Sequence, residues 1–143
     1  MSNLNDILFL FDNGIYYIKS KNSLEPNSIK KEKSYNIHVD CSSFTLIPEQ
    51  IFKNINPSEI HSFLGKEDNE YSFQECFLPK ENAYLIWAIN NNQLQKIENQ
   101  FPASKLSHFS SLLLNDNHYK NEIRFFKTDS FMYISAIKNH KLQ

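Results

Sequence analysis

The stretch ILFLFDNGIYYIKS, residues 7–20, decides how the chain is read. Two apolar, β-rich runs, Ile7 to Phe11 and Ile15 to Lys19, flank Asp12, Asn13 and Gly14. Asn-Gly between such runs is a strong hairpin signal, because a type I′ turn needs positive φ at both central positions. The stretch therefore predicts two antiparallel strands with a turn centred on Asn13 and Gly14. Two readings of Asp12-Asn13-Gly14 follow: an ordinary tight turn, or a loop that grips a phosphate.

Outward from the hairpin, residues 20–35 hold Pro26 and Lys21, Lys30, Lys31 and Lys33 among Ser and Asn, and read as a solvated connector. Asn36 to Ile47 reads as a third strand. Pro48 to Asn54 reads as a short helix. A better punctuated one follows in NPSEIHSFLG, with Asn56 as cap, Pro57 at the first helical position and Gly65 at the C-terminus. Tyr71 to Phe77 alternates as a strand should. Ala83 to Ile89 is a continuous apolar run, as expected of a strand buried on both faces. Gln93 to Phe101 carries Leu94, Ile97 and Phe101 on one helical stripe, and Pro102 ends it. Lys105 to Phe109 reads as a strand and Ser110 to Tyr119 as a helix. Glu122 to Lys127 and Phe131 to Ile137 are strands about a turn at Thr128-Asp129-Ser130. A turn at Lys138-Asn139 then begins another strand. The order predicts an α/β fold, a mixed β-sheet with flanking helices.

Residues 7–18 can be laid without a gap on residues 123–134. Ile7/Ile123, Phe9/Phe125, Tyr17/Tyr133 and Ile18/Ile134 are then identical, and both turns fall at one place. This echo predicts a first unit over residues 1–121 (β-β-β-α-β-α-β-α), and the opening strands of a second, truncated copy over residues 122–143.

Composition bounds the function. The 143 residues are 41% hydrophobic and 14% aromatic, enough for an ordinary core. The net charge of -1 gives no general attraction to nucleic acid or an anionic membrane. No apolar run approaches the roughly 20 residues of a membrane span, and the polar N-terminus does not read as a signal peptide. Cys41 and Cys76 read as reduced, buried thiols, and the expected compartment is the cytoplasm. His38 and Cys41, with Asp40 between them, could suggest a metal or nucleophile set, but residues three apart on a strand point to opposite faces, which argues against it. Serines beside His108 read as helix caps, and Trp87 as core.

The segments SSFTLIPEQIF, AYLIWAINNNQLQKIENQFPASKLSHFSSLLL and EIRFFKTDSFMYISAIKNHKLQ resemble an uncharacterised family of Bacteroidetes-type bacteria. Its members carry the actin-like ATPase fold, which is ribonuclease-H-like, with no assigned function. In active members of that superfamily, the first hairpin turn sets an Asp beside the metal and a Gly against the phosphates. The resemblance implies Asp12, Asn13 and Gly14, and in the second hairpin Thr128, Asp129 and Ser130, as phosphate-loop candidates. The chain departs from that pattern. Ile15, Tyr16 and Tyr17 replace the small hydroxyl residues, and Gly14 and Gly65 are the chain's two glycines. The expectation is a non-catalytic interaction or scaffold protein with a protein partner, no metal ligands and no cofactor, forming a homodimer through residues 122–143. The alternative is an ATPase that binds ATP and magnesium between two domains.

Overall fold

The computed structural model describes residues 7–11, 14–18, 34–66, 69–114, 120–128 and 131–143. Strands β1 (Ile7–Phe11) and β2 (Gly14–Ile18) form the expected antiparallel hairpin. Phe11 pairs with Gly14, so Gly14 belongs to β2 rather than to the centre of the turn that the Asn-Gly signal implies. Asp12 and Asn13 themselves lie outside the described residues.

The expected third strand divides in two. β3 (Asn36–Val39) lies parallel to β1, and β4 (Phe44–Pro48) belongs to another sheet. The expectation of one third strand over Asn36 to Ile47, in a single mixed sheet, is therefore corrected. The physical reason lies in burial. Ile37, His38 and Val39 are all buried, as suits a parallel strand covered on both faces, whereas β4 is largely half-exposed. The polar run Asp40 to Ser43 carries the chain from one sheet to the next. β3 also pairs in parallel with β7 (Lys105–His108), giving the order β2-β1-β3-β7.

A second, antiparallel sheet has β6 (Ala83–Asn90) in its centre, between β4 and β5 (Tyr71–Leu78). The apolar run takes this place because it faces cores on both sides. Ile86 and Ala88 pack with Ile47 and Leu64 beneath α1 (Glu49–Phe52) and α2 (Pro57–Leu64). Leu85 and Trp87 pack with Leu78 and Leu114 on the opposite side. Ile89 joins Tyr35, Ile37 and Val39 of the first sheet to Ile97 and Phe101, from α3 (Asn91–Gln100) and its end.

The helix punctuation is as expected. Asn56 Oδ1 accepts from Ser58 N at 3.2 Å at the start of α2. Gly65, just past its end, has φ of +60°. A Cβ there would meet nothing within 4 Å, so substitution strains the backbone alone. Gly65→Ala should cost about 1 kcal/mol, read as a lower urea midpoint with unchanged slope.

The third sheet, β10-β9-β8, is an antiparallel meander of β8 (Asn121–Lys127), β9 (Met132–Lys138) and β10 (Lys141–Leu142). Between β9 and β10, Asn139 and His140 have φ of 55° and 62°, the signature of a type I′ turn. Phe126, Phe131 and Tyr133 on the inner face pack on Phe109 and on Leu113 of α4 (Ser110–Leu114). The chain's single arginine serves the fold here: Arg124 donates to the Leu113 carbonyl at 3.0 Å and pairs with Glu122 at 2.5 Å. Ile123 lies opposite Ala136, whereas the gapless echo of the first hairpin would set it opposite Ile134. The register is thus shifted by two residues relative to the echo, and the second hairpin turns one residue later than the first.

Candidate functional site

The parallel strands β1, β3 and β7 end at one edge. Leu10, Val39 and His108 sit side by side in the register. The chain leaves these strands through Asp12-Asn13, Asp40-Cys41 and Phe109-Ser110. In open α/β sheets the carboxyl edge of parallel strands is the usual place for a ligand crevice.

A buried polar knot occupies this edge. His108 Nδ1 accepts from the Ser110 backbone N–H at 3.1 Å. The neutral ring must then carry its proton on Nε2, which donates to the Cys41 carbonyl at 2.9 Å. The side chain thereby caps α4 and ties the end of β7 to the end of β3. Ser110 Oγ lies 2.8 Å from the same Nδ1, and Ser111 Oγ donates to the His108 carbonyl at 2.7 Å. The Tyr133 hydroxyl, reaching in from β9, donates to Asp40 Oδ1 and lies 3.2 Å from the Cys41 carbonyl oxygen. Phe44 covers His108 with ring centroids 4.4 Å apart. Asp40 is only 5% exposed, so Tyr133 supplies the hydrogen bond that this burial demands.

Burial pushes the His108 pKa down to about 4, outweighing its bond to Cys41 and the nearby Asp40 charge, which act upward. Burial also lowers His38, against an opposing hydrogen bond to the His108 backbone. These imidazoles are neutral at ordinary pH. The Ser110–His108 pair has the atoms of a nucleophile and a base. Its histidine is a weak base, it is already engaged by a helix N–H, and the serine is buried. The arrangement binds elements together.

In front of the knot lies a polar recess of about 210 Å³, lined by Asp40, Ser42, Ser43, Lys66, Asn90 and Gln93. Phe131 of the β8–β9 turn closes one side. Gly14 is the first residue of β2. Thr128 is buried and closes the second hairpin: its Oγ1 accepts from Phe131 N at 2.8 Å, and its N–H donates to Phe131 O at 2.8 Å. Asp129 and Ser130, like Asp12 and Asn13, lie outside the described residues. The structure thus joins Asp40, Cys41, His108, Ser110 and Tyr133, which sequence spacing leaves apart. The serines beside His108 do not cap the helix, contrary to expectation; His108 is itself the cap.

Among the described residues no three His, Cys, Asp or Glu side chains are grouped to hold a metal ion. Cys41 and Cys76 are half-buried, and burial pushes the Cys76 thiol up. No helix among the described residues is long and apolar enough to cross a membrane.

A family described as "Protein of unknown function (DUF3822)" matches residues 20–143. A solved structure from Bacteroides thetaiotaomicron, described as a protein with actin-like ATPase fold and unknown function, superposes with a TM-score of 0.69 at 14% identity. The superposition covers 96% of this chain and 66% of that one, so this chain spans about two thirds of its neighbour's length. At this identity the likeness is one of fold. No curated protein matches the sequence.

Proposed function

The chain belongs to the DUF3822 family, and we propose that it is a non-catalytic interaction protein built on an actin-like fold. The observation that carries this reading is the outer face of the third sheet. Ile123, Phe125, Met132 and Ile134 are 74%, 73%, 59% and 64% exposed. The register sets them together, with Phe125 opposite Ile134 and Ile123 opposite Ala136. Four large apolar side chains on one uncovered sheet face are the mark of a contact surface. The chemistry-bearing groups nearby, Asp40, His108 and Ser110, are engaged in holding the fold. In this reading residues 122–143 open a second unit, and a homodimer through them is the simplest use of the face. Reduced cysteines at Cys41 and Cys76 are in keeping with a cytoplasmic protein.

Sedimentation tests it. The chain should associate as concentration rises, and Phe125→Lys should leave a monomer while changing stability by less than about 1 kcal/mol. Equal sedimentation of the two proteins would count against the face as a self-contact.

The second reading is a nucleotide-binding protein of the actin-like ATPase superfamily, with ATP and magnesium near the carboxyl edge. The polar recess with Lys66, Asn90 and Gln93 favours it. Isothermal titration with magnesium and ATP separates the two. Saturable heat that Asp12→Ala abolishes in a folded protein would replace the first reading by the second.

A further inference from the structure

We infer that the polar recess beside the knot binds a small zwitterion, a free α-amino acid, with its ammonium at Asp40 and its carboxylate at Lys66. None of Ile123, Phe125, Met132 and Ile134 lines this recess, so the inference stands apart from the contact-surface reading.

Asp40 is the single carboxylate in the lining and Lys66 the single cation. The fold uses only half of Asp40. Oδ1 accepts from the Tyr133 hydroxyl, whereas Oδ2 has no hydrogen-bond partner among the described residues. Oδ2 is also not among the polar atoms sealed from solvent. Asp40 is only 5% exposed, so this oxygen opens on the recess that Asp40 lines. A carboxylate oxygen at such depth calls for a donor, and a positively charged donor satisfies it best.

Other lining residues have the opposite character. Lys66 Nζ sits 4.8 Å from the centroid of the Tyr71 ring and pairs with no carboxylate among the described residues. Helix α3 begins here, with its cap Asn90 and first-turn Gln93 both in the lining. The positive end of that helix and the Lys66 ammonium together favour an anion.

Two opposite charges in one small recess select the occupant. A phosphate brings negative charge alone and meets the Asp40 carboxylate. A simple amine brings positive charge alone and meets Lys66. A zwitterion gives each charge a partner, and leaves neither desolvated without one. The volume of about 210 Å³ equals about seven waters at roughly 30 Å³ each, the size of a small amino acid rather than a nucleotide. Tyr71, Ala88 and Phe131 leave an apolar wall for a short side chain.

The probes are the L-α-amino acids, offered singly to the full chain in a thermal-shift screen and then titrated by calorimetry. At least one with a short side chain should bind saturably, with Kd below about 1 mM. Its deaminated acid and its decarboxylated amine should each bind at least roughly tenfold more weakly, the worth of about one hydrogen bond to a charged group. Asp40→Asn keeps an acceptor for Tyr133 and sets an amide N–H₂ where Oδ2 stood. It should weaken the amino acid as much and spare the deaminated acid. Lys66→Gln should weaken the amino acid equally and spare the amine. If Asp40→Asn does not fold, Lys66→Gln and the two analogues on the unaltered chain decide. No binding by any amino acid, equal binding of the analogues, or full affinity in either folded variant would overturn the inference. So would magnesium ATP that binds where no amino acid displaces it, an outcome that supports the nucleotide reading instead.

Discussion

Acidification from pH 7 to pH 4 will remove about 3 kcal/mol of folding stability through His108 alone. Burial holds its pKa near 4 in the fold, against 6.5 in the unfolded chain. Between those values the unfolded chain takes up a proton that the folded one refuses. The stabilisation is complete above pH 6.5 and is lost as pH falls toward 4, at about 1.4 kcal/mol for each pH unit between the two values. His38, lowered by burial as well, adds to the loss with the same sign. The structural reason is that a proton on Nδ1 would put a donor against the Ser110 N–H and a charge among Phe44, Trp87 and Tyr133. Urea midpoints at pH 7 and near pH 4.5 measure the slope. His108→Gln, which does not titrate in this range, should be less stable at pH 7 and should flatten the curve. A slope unchanged in that variant would remove His108 as its source.

Much of the element order was legible in the chain. Asn56, Pro57 and Gly65 bound α2 because capping is local chemistry. Ala83 to Ile89 reads as a central strand because it contains no face fit for water, and it does pack on both sides. The apolar load of the tail was legible too, but alternation sorts it: Phe126, Phe131 and Tyr133 turn inward, while Phe125, Met132 and Ile134 stay out. Pairing was less accessible. Nothing in Asn36 to Val39 states whether its neighbour runs parallel, and the break at Asp40 to Ser43 resembles ordinary polar positions in a strand. The knot was out of reach for a different reason. Tyr133 and Asp40 are 93 positions apart, so no spacing rule relates them. The available hint was a polar residue where each strand leaves its sheet: Asp40 directly after β3, and His108 at the end of β7.

Trp87→Ala should cost about 3–5 kcal/mol, a large share of the roughly 5–15 kcal/mol that holds a typical domain. Trp87 is 1% exposed and packs with Leu78, Leu85 and Leu114 between the second sheet and α4. Its removal leaves a cavity walled by strands that cannot close on it. The indole also carries a liability, since its Nε1–H is buried with no hydrogen-bond partner among the described residues. Trp87→Phe deletes that orphan donor, which relieves about 1–3 kcal/mol of unmet desolvation, while the lost ring volume costs a similar amount. The expected net change for Trp87→Phe is therefore within about 1 kcal/mol of zero, far less than its loss of volume alone implies. Both substitutions remove the chain's single tryptophan, so urea unfolding is followed by circular dichroism rather than fluorescence. A Trp87→Phe variant that loses as much stability as Trp87→Ala would show that the indole N–H is satisfied in solution.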